Sequence, residues 1–234
     1  MACLLAAGVI LAQDLSLEKV LENHYNAIGQ DKMSKVQTFK MTGKAMQMGM
    51  EFPMTIIKKR PNMTYTEAEV QGMKIISAFD GQNGWMIMPF GGSNDPQDLP
   101  AEQLKSAKEQ NIDGMLYAWK EGGRKLELIG KEDMDDAQVY NIKVTTSDST
   151  IYNFYIDAKT FLISKMKNTV LAQGQNVDVE TNFSDYRDVN GIKFAYKFQQ
   201  TAGGQAGTEI NFDTIELDPV VDDHIFAKPT SAQK

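Results

Sequence analysis

The chain has 234 residues, of which 42% are hydrophobic and 24% charged, and a formal net charge of −7. That balance suits a globular protein with a sizeable core. Only three arginines are present, Arg60, Arg124 and Arg187; with the acidic balance they argue against a phosphate-binding surface for nucleic acid and against adhesion to anionic lipid surfaces.

Residues Met1 to Ala12 form an uncharged run ending at a small residue before Gln13-Asp14. They read as a secretory leader, residues 1–12, cleaved after Ala12. Its basic front is missing, because Met1-Ala2-Cys3 carries no Lys or Arg. A short buried N-terminal element is the plainer alternative. The run is far shorter than the roughly 20 residues that span a bilayer, so no transmembrane anchor is expected. Cys3 is the sole cysteine and would leave with the leader. A thiol-free exported chain suits a bacterial periplasm, with residues 13–234 as a single domain.

Ser16 is placed to cap a helix whose Leu17, Val20, Leu21, His24 and Ile28 share one face, with Gly29 as its stop. From Val36 the pattern becomes strand-like, with breaks expected at Pro53 and at Arg60-Pro61-Asn62. Nine of the 14 methionines fall between Met41 and Met88. As alternating sheet residues they would form a soft, adaptable apolar wall, although methionine also simply fills core gaps. Asp80-Gly81-Gln82-Asn83-Gly84 signals a hairpin before Trp85.

A second helix is expected over Ala101 to Gln110, with Leu104 and Ala107 inward. Met115 to Trp119 continues apolar and reads equally as helix or strand. Seven strands of even spacing follow from Lys125 to Leu217, then one helical turn near Asp222 to Phe226. About ten or eleven strands result, in an antiparallel sandwich or barrel.

The chemistry is mostly a list of absences. No HExxH, Walker, GxSxG or dinucleotide fingerprint is present. His24 and His224 make no metal site by spacing, and Asp135-Asp136 and Asp222-Asp223 read as solvated turns. Asp80 and Asp157 could be cast as a glycosidase pair, but capping of their own turns is the simpler account. No catalytic residue, metal or cofactor is expected.

Lys58-Lys59-Arg60-Pro61-Asn62, Asp80 to Trp85, Tyr152 to Asp157, Ser184 to Lys193 and Ile225 to Pro229 occur in an order that resembles LolA/LolB-like outer-membrane lipoprotein-sorting proteins. The resemblance implies a mainly β, α+β fold: one strongly curved antiparallel sheet, an incomplete β-barrel, with helices covering its concave face. It further implies a periplasmic carrier that holds lipoprotein acyl chains or another lipid, passing them from an inner-membrane donor to an outer-membrane acceptor. Carriers of this kind hold their helical lid with a sheet arginine, and the sequence does not say whether Arg60, Arg124 or Arg187 takes that place.

Burial alone, at about 0.8 kcal/mol per methylene, would drive reversible loading. Alternation selects Met46, Met48, Phe52, Met54, Ile56, Ile75, Trp85 and Ile87 as the cavity lining, with Met86 and Met88 on the other face. Leu104, Ala107, Met115, Leu116 and Trp119 form the expected lid. The alternatives are an envelope sensor of the same fold that binds a peptide or protein and, more remotely, a hydrolase.

Overall fold

The computed structural model describes residues 15–91, 94–134, 137–172 and 174–229. The expected leader, Cys3 and Asp135-Asp136 lie outside them. The first helix, α1 (Leu17–Ile28), is capped by Ser16, whose side chain accepts from the Lys19 backbone N–H. It ends at Gly29 in the left-handed region, φ +76°. Glycine is required there twice over: the φ disfavours any Cβ, and one would lie 2.2 Å from the Gly191 carbonyl oxygen. This contact seats the junction of α1 and the short α2 (Gln30–Met33) on the turn before Ile192.

The strands of the first half are β1 (Thr38–Gln47), β2 (Met50–Lys59), β3 (Met63–Val70), β4 (Met73–Phe79), β5 (Gly84–Ile87) and β6 (Gln97–Asp98). After α3 (Ala101–Glu109) and an irregular crossover come β7 (Lys125–Met134), β8 (Ala137–Thr145), β9 (Ile151–Asp157), β10 (Ile163–Ala172), β11 (Gln175–Val189), β12 (Ile192–Ala202) and β13 (Gln205–Leu217). Among the described residues all thirteen join one antiparallel sheet, ordered β6-β5-β4-β3-β2-β1-β13-β12-β11-β10-β9-β8-β7, which is not closed. Two meanders are thus sewn together by β1 and β13, and each contributes one outer edge.

The count exceeds the ten or eleven expected. The break expected at Pro53 falls instead at Met48-Gly49, and β2 runs through the proline. Pro53 stands opposite Lys44 of β1, one residue outside the stretch of β2 paired with β3, where its missing N–H is tolerated. Two-residue β6 carries no period to detect.

Met115 to Trp119 is neither helix nor strand, but a chain of turns. Its Leu116 is nonetheless 2% exposed, packed with Val20 and Leu21 of α1 on Ile142, Val144 and Ile156. Helix α3 touches both wings of the sheet. Its Leu104 approaches Gly84 of β5, and the Lys105 ammonium lies 2.8 Å from Asp148, between β8 and β9. Strands β5 and β9 are second and eleventh in order, nine steps or about 43 Å apart if flat. A nine-residue helix is only about 14 Å long, so the sheet is not flat. No helix among the described residues is long and apolar enough to cross a membrane.

Candidate ligand-binding cavity

Register fixes the faces, because directly opposed residues on neighbouring strands point to the same side. Phe52, Met54, Ile56 and Lys58 of β2 oppose Ala45, Gly43, Met41 and Phe39 of β1. The same face runs through Ala68 and Thr66 of β3 to Ile75, Ser77 and Phe79 of β4, then to Met86 and Gly84 of β5. Gly84 identifies it as the helix-covered face: a Cβ there would lie 2.3 Å from Leu99 Cδ1 and 3.3 Å from Leu104 Cδ1.

The expected lining set divides accordingly. Phe52, Met54, Ile56 and Ile75 are half-buried on the helix-covered face. Met46, Trp85 and Ile87 are on the opposite face, and Met48 is 91% exposed in the β1–β2 turn with φ +50°. Met86, expected to point away, faces the helices, while Met88 lies beyond β5 and is exposed. The alternation misleads because the opposite face is also buried near Trp85. There the indole Nε1–H donates to the Phe226 carbonyl at 2.9 Å, and Trp85 and Phe226 are both buried.

At the Lys58 end, the helix-covered face meets α1, α2 and the crossover around a cavity of about 290 Å³. Ile28 and Met33 from the helices, Leu116 from the crossover and Phe183, Phe194 and Phe198 from the sheet give it apolar walls. The phenyl rings interlock edge to face, Phe39 on Phe194 at 5.3 Å and Phe183 on Phe198 at 5.2 Å, which favours a rigid wall. Of the expected lid residues, Met115 and Leu116 line this cavity. Ala107 faces a separate space of about 260 Å³ over β3 and β4, Leu104 the β5 glycine, and Trp119 the packed core. None of the eight expected lining residues touches the cavity itself. Two larger open grooves, about 580 and 590 Å³, lie beside β9–β11 and beside the β1–β2 turn. The first has polar walls, including Asn153, Lys167 and Glu180. Met46 and Met48 line the second, with Asn182, Gln199 and Glu209.

The crossover is clamped by two arginines. The Arg60 guanidinium donates to both Asp113 oxygens at 2.5 and 2.8 Å, and to the Val36 and Met33 carbonyls. Bidentate pairing of this kind is among the stronger polar contacts, and the Asp113 hydrogen bond raises the Arg60 pKa further. Arg124, buried just beyond the crossover, pairs with Glu109 of α3 at 3.3 Å.

Around the cavity, Tyr25 Oη–H donates to the Leu116 carbonyl at 2.6 Å, and burial pushes its pKa up to about 12. Tyr186 donates to the Ile163 carbonyl at 2.8 Å and is likewise raised by burial. His24 is buried with Nδ1 2.8 Å from the Phe161 carbonyl, and burial lowers its pKa, which keeps it neutral. Asp80 and Asp157 serve their own turns: Asp80 accepts from the Gln82 and Asn83 amides, Asp157 from those of Lys159 and Thr160. Among the described residues no group of three His, Cys, Asp or Glu could hold a metal ion.

Sequence reasoning missed Lys58 and Asp113. Lys58 was visible only as part of a turn motif, yet its even spacing, two residues from Ile56 and four from Met54, puts it on the apolar face. Asp113 lies in a stretch without periodicity, and only its arginine partner reveals it.

No protein-family model matches this chain, and no curated protein matches it. Solved structures do. A LolA superfamily protein from Nitrosomonas europaea superposes with TM-score 0.61 at 13% identity, covering 92% of this chain and 98% of the other. An outer membrane lipoprotein-sorting protein domain from Vibrio parahaemolyticus gives 0.60 at 10%, covering 91% and 98%. A DUF1329 family protein from Desulfovibrio piger gives 0.59 at 14%, covering 89% and 97%. Shared architecture at such low identity is a statement about backbone topology, and it establishes that this chain has a LolA-like fold.

Proposed function

We infer that this protein is a periplasmic, non-enzymatic carrier that holds the acyl chain of a lipid or lipoprotein between the concave face of its sheet and the helical layer. One observation carries the reading: the apolar cavity of about 290 Å³ opens onto the side of the sheet that holds Ile56, Met54 and Phe52. At about 30 Å³ per water-sized group, that volume takes roughly ten methylenes. Burial of each is worth about 0.8 kcal/mol before the cost of association.

The half-buried Phe52, Met54, Ile56, Ile75 and Met86 extend the binding wall past the cavity, and Met46, Met48, Trp85 and Ile87 have no part in it. Helix α3 and the crossover act as the lid. Arg60 takes the place of the sheet arginine that the family resemblance calls for, holding the lid through Asp113. Cargo is received from an inner-membrane donor and passed to an outer-membrane acceptor.

Organic extraction of protein purified from its native envelope, followed by mass spectrometry, tests the reading. Stoichiometric lipid or lipoprotein is expected in the extract. Recovery of none, together with no uptake of any alkyl-chain ligand by the purified protein, would remove it.

A further inference from the structure

Lys58 is a charged feature of the cavity that acyl-chain burial does not use. Its ammonium has no hydrogen-bond or ion-pair partner among the described residues. The nearby arginines are committed, Arg60 to Asp113 and Arg124 to Glu109. Asp113, the acidic residue in the cavity wall, has both oxygens on Arg60 and also accepts from Gln30 at 3.1 Å. Lys193 reaches the same cavity from an exposed position on β12, and His24 is neutral.

Two further polar atoms in this wall are unmet. Gln30 Oε1 and Asn111 Oδ1 are both buried without a hydrogen-bond partner, and both residues line the cavity. Buried polar groups are nearly always paired, so these unmet groups mark a place for a polar head; the ammonium is the part of it that selects an anion, while the two carbonyl oxygens only accept and take no part in binding one. Its position is as telling as its charge. Lys58 sits at the helix-covered end, and the apolar residues of its face, Ile56, Met54 and Phe52, lead away toward the β1–β2 turn.

We propose that the ligand is a single-chain amphiphile with a terminal carboxylate, bound head first, its acid group on Lys58 and its chain running along Ile56, Met54 and Phe52. This rests on the carrier reading above but reverses the orientation a lipoprotein would need, since a lipoprotein enters chain first and leaves its peptide outside. One uncommitted interior cation suits a monoanion better than a dianionic phosphate monoester. A path along one strand face, from Ile56 through Met54 to Phe52 of β2, suits one chain better than several. Removal of Lys58 from water already lowers its pKa, and an incoming carboxylate would restore the charged form.

Calorimetric titration of the purified, lipid-stripped protein with decanoate, decanol and decyl phosphate tests this, for the wild type and for Lys58→Met and Lys58→Arg. Decanoate is expected to bind wild type at least about tenfold more tightly than decanol, the range of a charge-assisted hydrogen bond. Lys58→Met should lose that preference while still binding decanol, and Lys58→Arg should keep part of it. Equal binding of decanoate and decanol by wild type, or an intact preference in Lys58→Met, overturns the head-first proposal and leaves the carrier reading standing. Tighter binding of decyl phosphate than of decanoate overturns the carboxylate assignment. Failure of wild type to bind any of the three overturns the head-first proposal, and the carrier reading is then decided by the extraction of native lipid.

Discussion

The two wings of the sheet have similar alternating sequences and opposite burial. In the β7–β9 wing, Ile142, Val144 and Ile156 are all fully buried under α1 and Leu116. In the first wing, β3 has no fully buried residue, and Phe52, Met54, Ile56 and Ile75 are only half-buried. The difference is what lies on top. Helix α1 brings a stripe of Val20 and Leu21 that closes over one wing, while α3 has no fully buried residue of its own over the other. A closed face supports stability, and an incompletely covered one remains available to a ligand.

That contrast can be broken by paired truncations. Ile142→Ala should cost about 2–5 kcal/mol in denaturant unfolding, because the side chain is fully buried and its neighbours cannot collapse freely. Met54→Ala should cost under about 1 kcal/mol while weakening alkyl-chain binding several-fold. Equal losses at both sites would show that the wings are packed alike.

The next largest effect tests the link between them. Asp113→Asn leaves the Arg60 guanidinium without its carboxylate at a site where both side chains are mostly covered. A loss of about 2–3 kcal/mol is expected, below the 3–5 kcal/mol of a fully buried pair. Faster hydrogen exchange should be confined to residues 110–117, and exchange spread evenly over the sheet would refute a lid held at this point.

Lys58→Met should stabilise the ligand-free protein by about 1–3 kcal/mol, since it replaces a poorly solvated, unpaired cation by a side chain of similar shape. Its pH signature has a definite sign. Burial holds the folded-state pKa below the ordinary 10.5, so the unfolded chain binds more protons in the window between the two values. Wild-type stability should therefore rise with pH across that window, and Lys58→Met should flatten the rise. Tyr25 acts oppositely at higher pH. Its pKa is raised from 10 to about 12, so the stability it gives is complete below pH 10 and is lost as pH climbs toward 12. Unfolding midpoints measured across the alkaline range separate the two.

The smallest effect belongs to Met48. At 91% exposure in a turn, Met48→Ser should shift stability by less than about 0.5 kcal/mol and leave decanoate binding unchanged. A clear loss of binding would restore this methionine to the ligand wall.

Local chemistry was legible wherever a few neighbouring residues decide the outcome. Ser16 and Gly29 bound a helix with their own side chain and backbone, and Asp80 and Asp157 close the turns that they begin. The resemblance carried by turns and strand ends also pointed to the right fold, because turns set the order of a meander. The face of each strand was not legible. A period of two says that a strand has two sides and not which one is covered, and the contact of Trp85 with Phe226 buries the side that faces away from the Lys58 cavity.

The sequence by itself determined the caps, the turns and the succession of strands, since those depend on contacts within a few residues. Tertiary structure alone decided that Met115 to Trp119 folds as irregular turns, that Arg60 meets Asp113 across 53 positions, and that Lys58 lies in an apolar cavity without a partner. These depend on where the curved sheet brings distant segments together, and no local pattern encodes a distance between them.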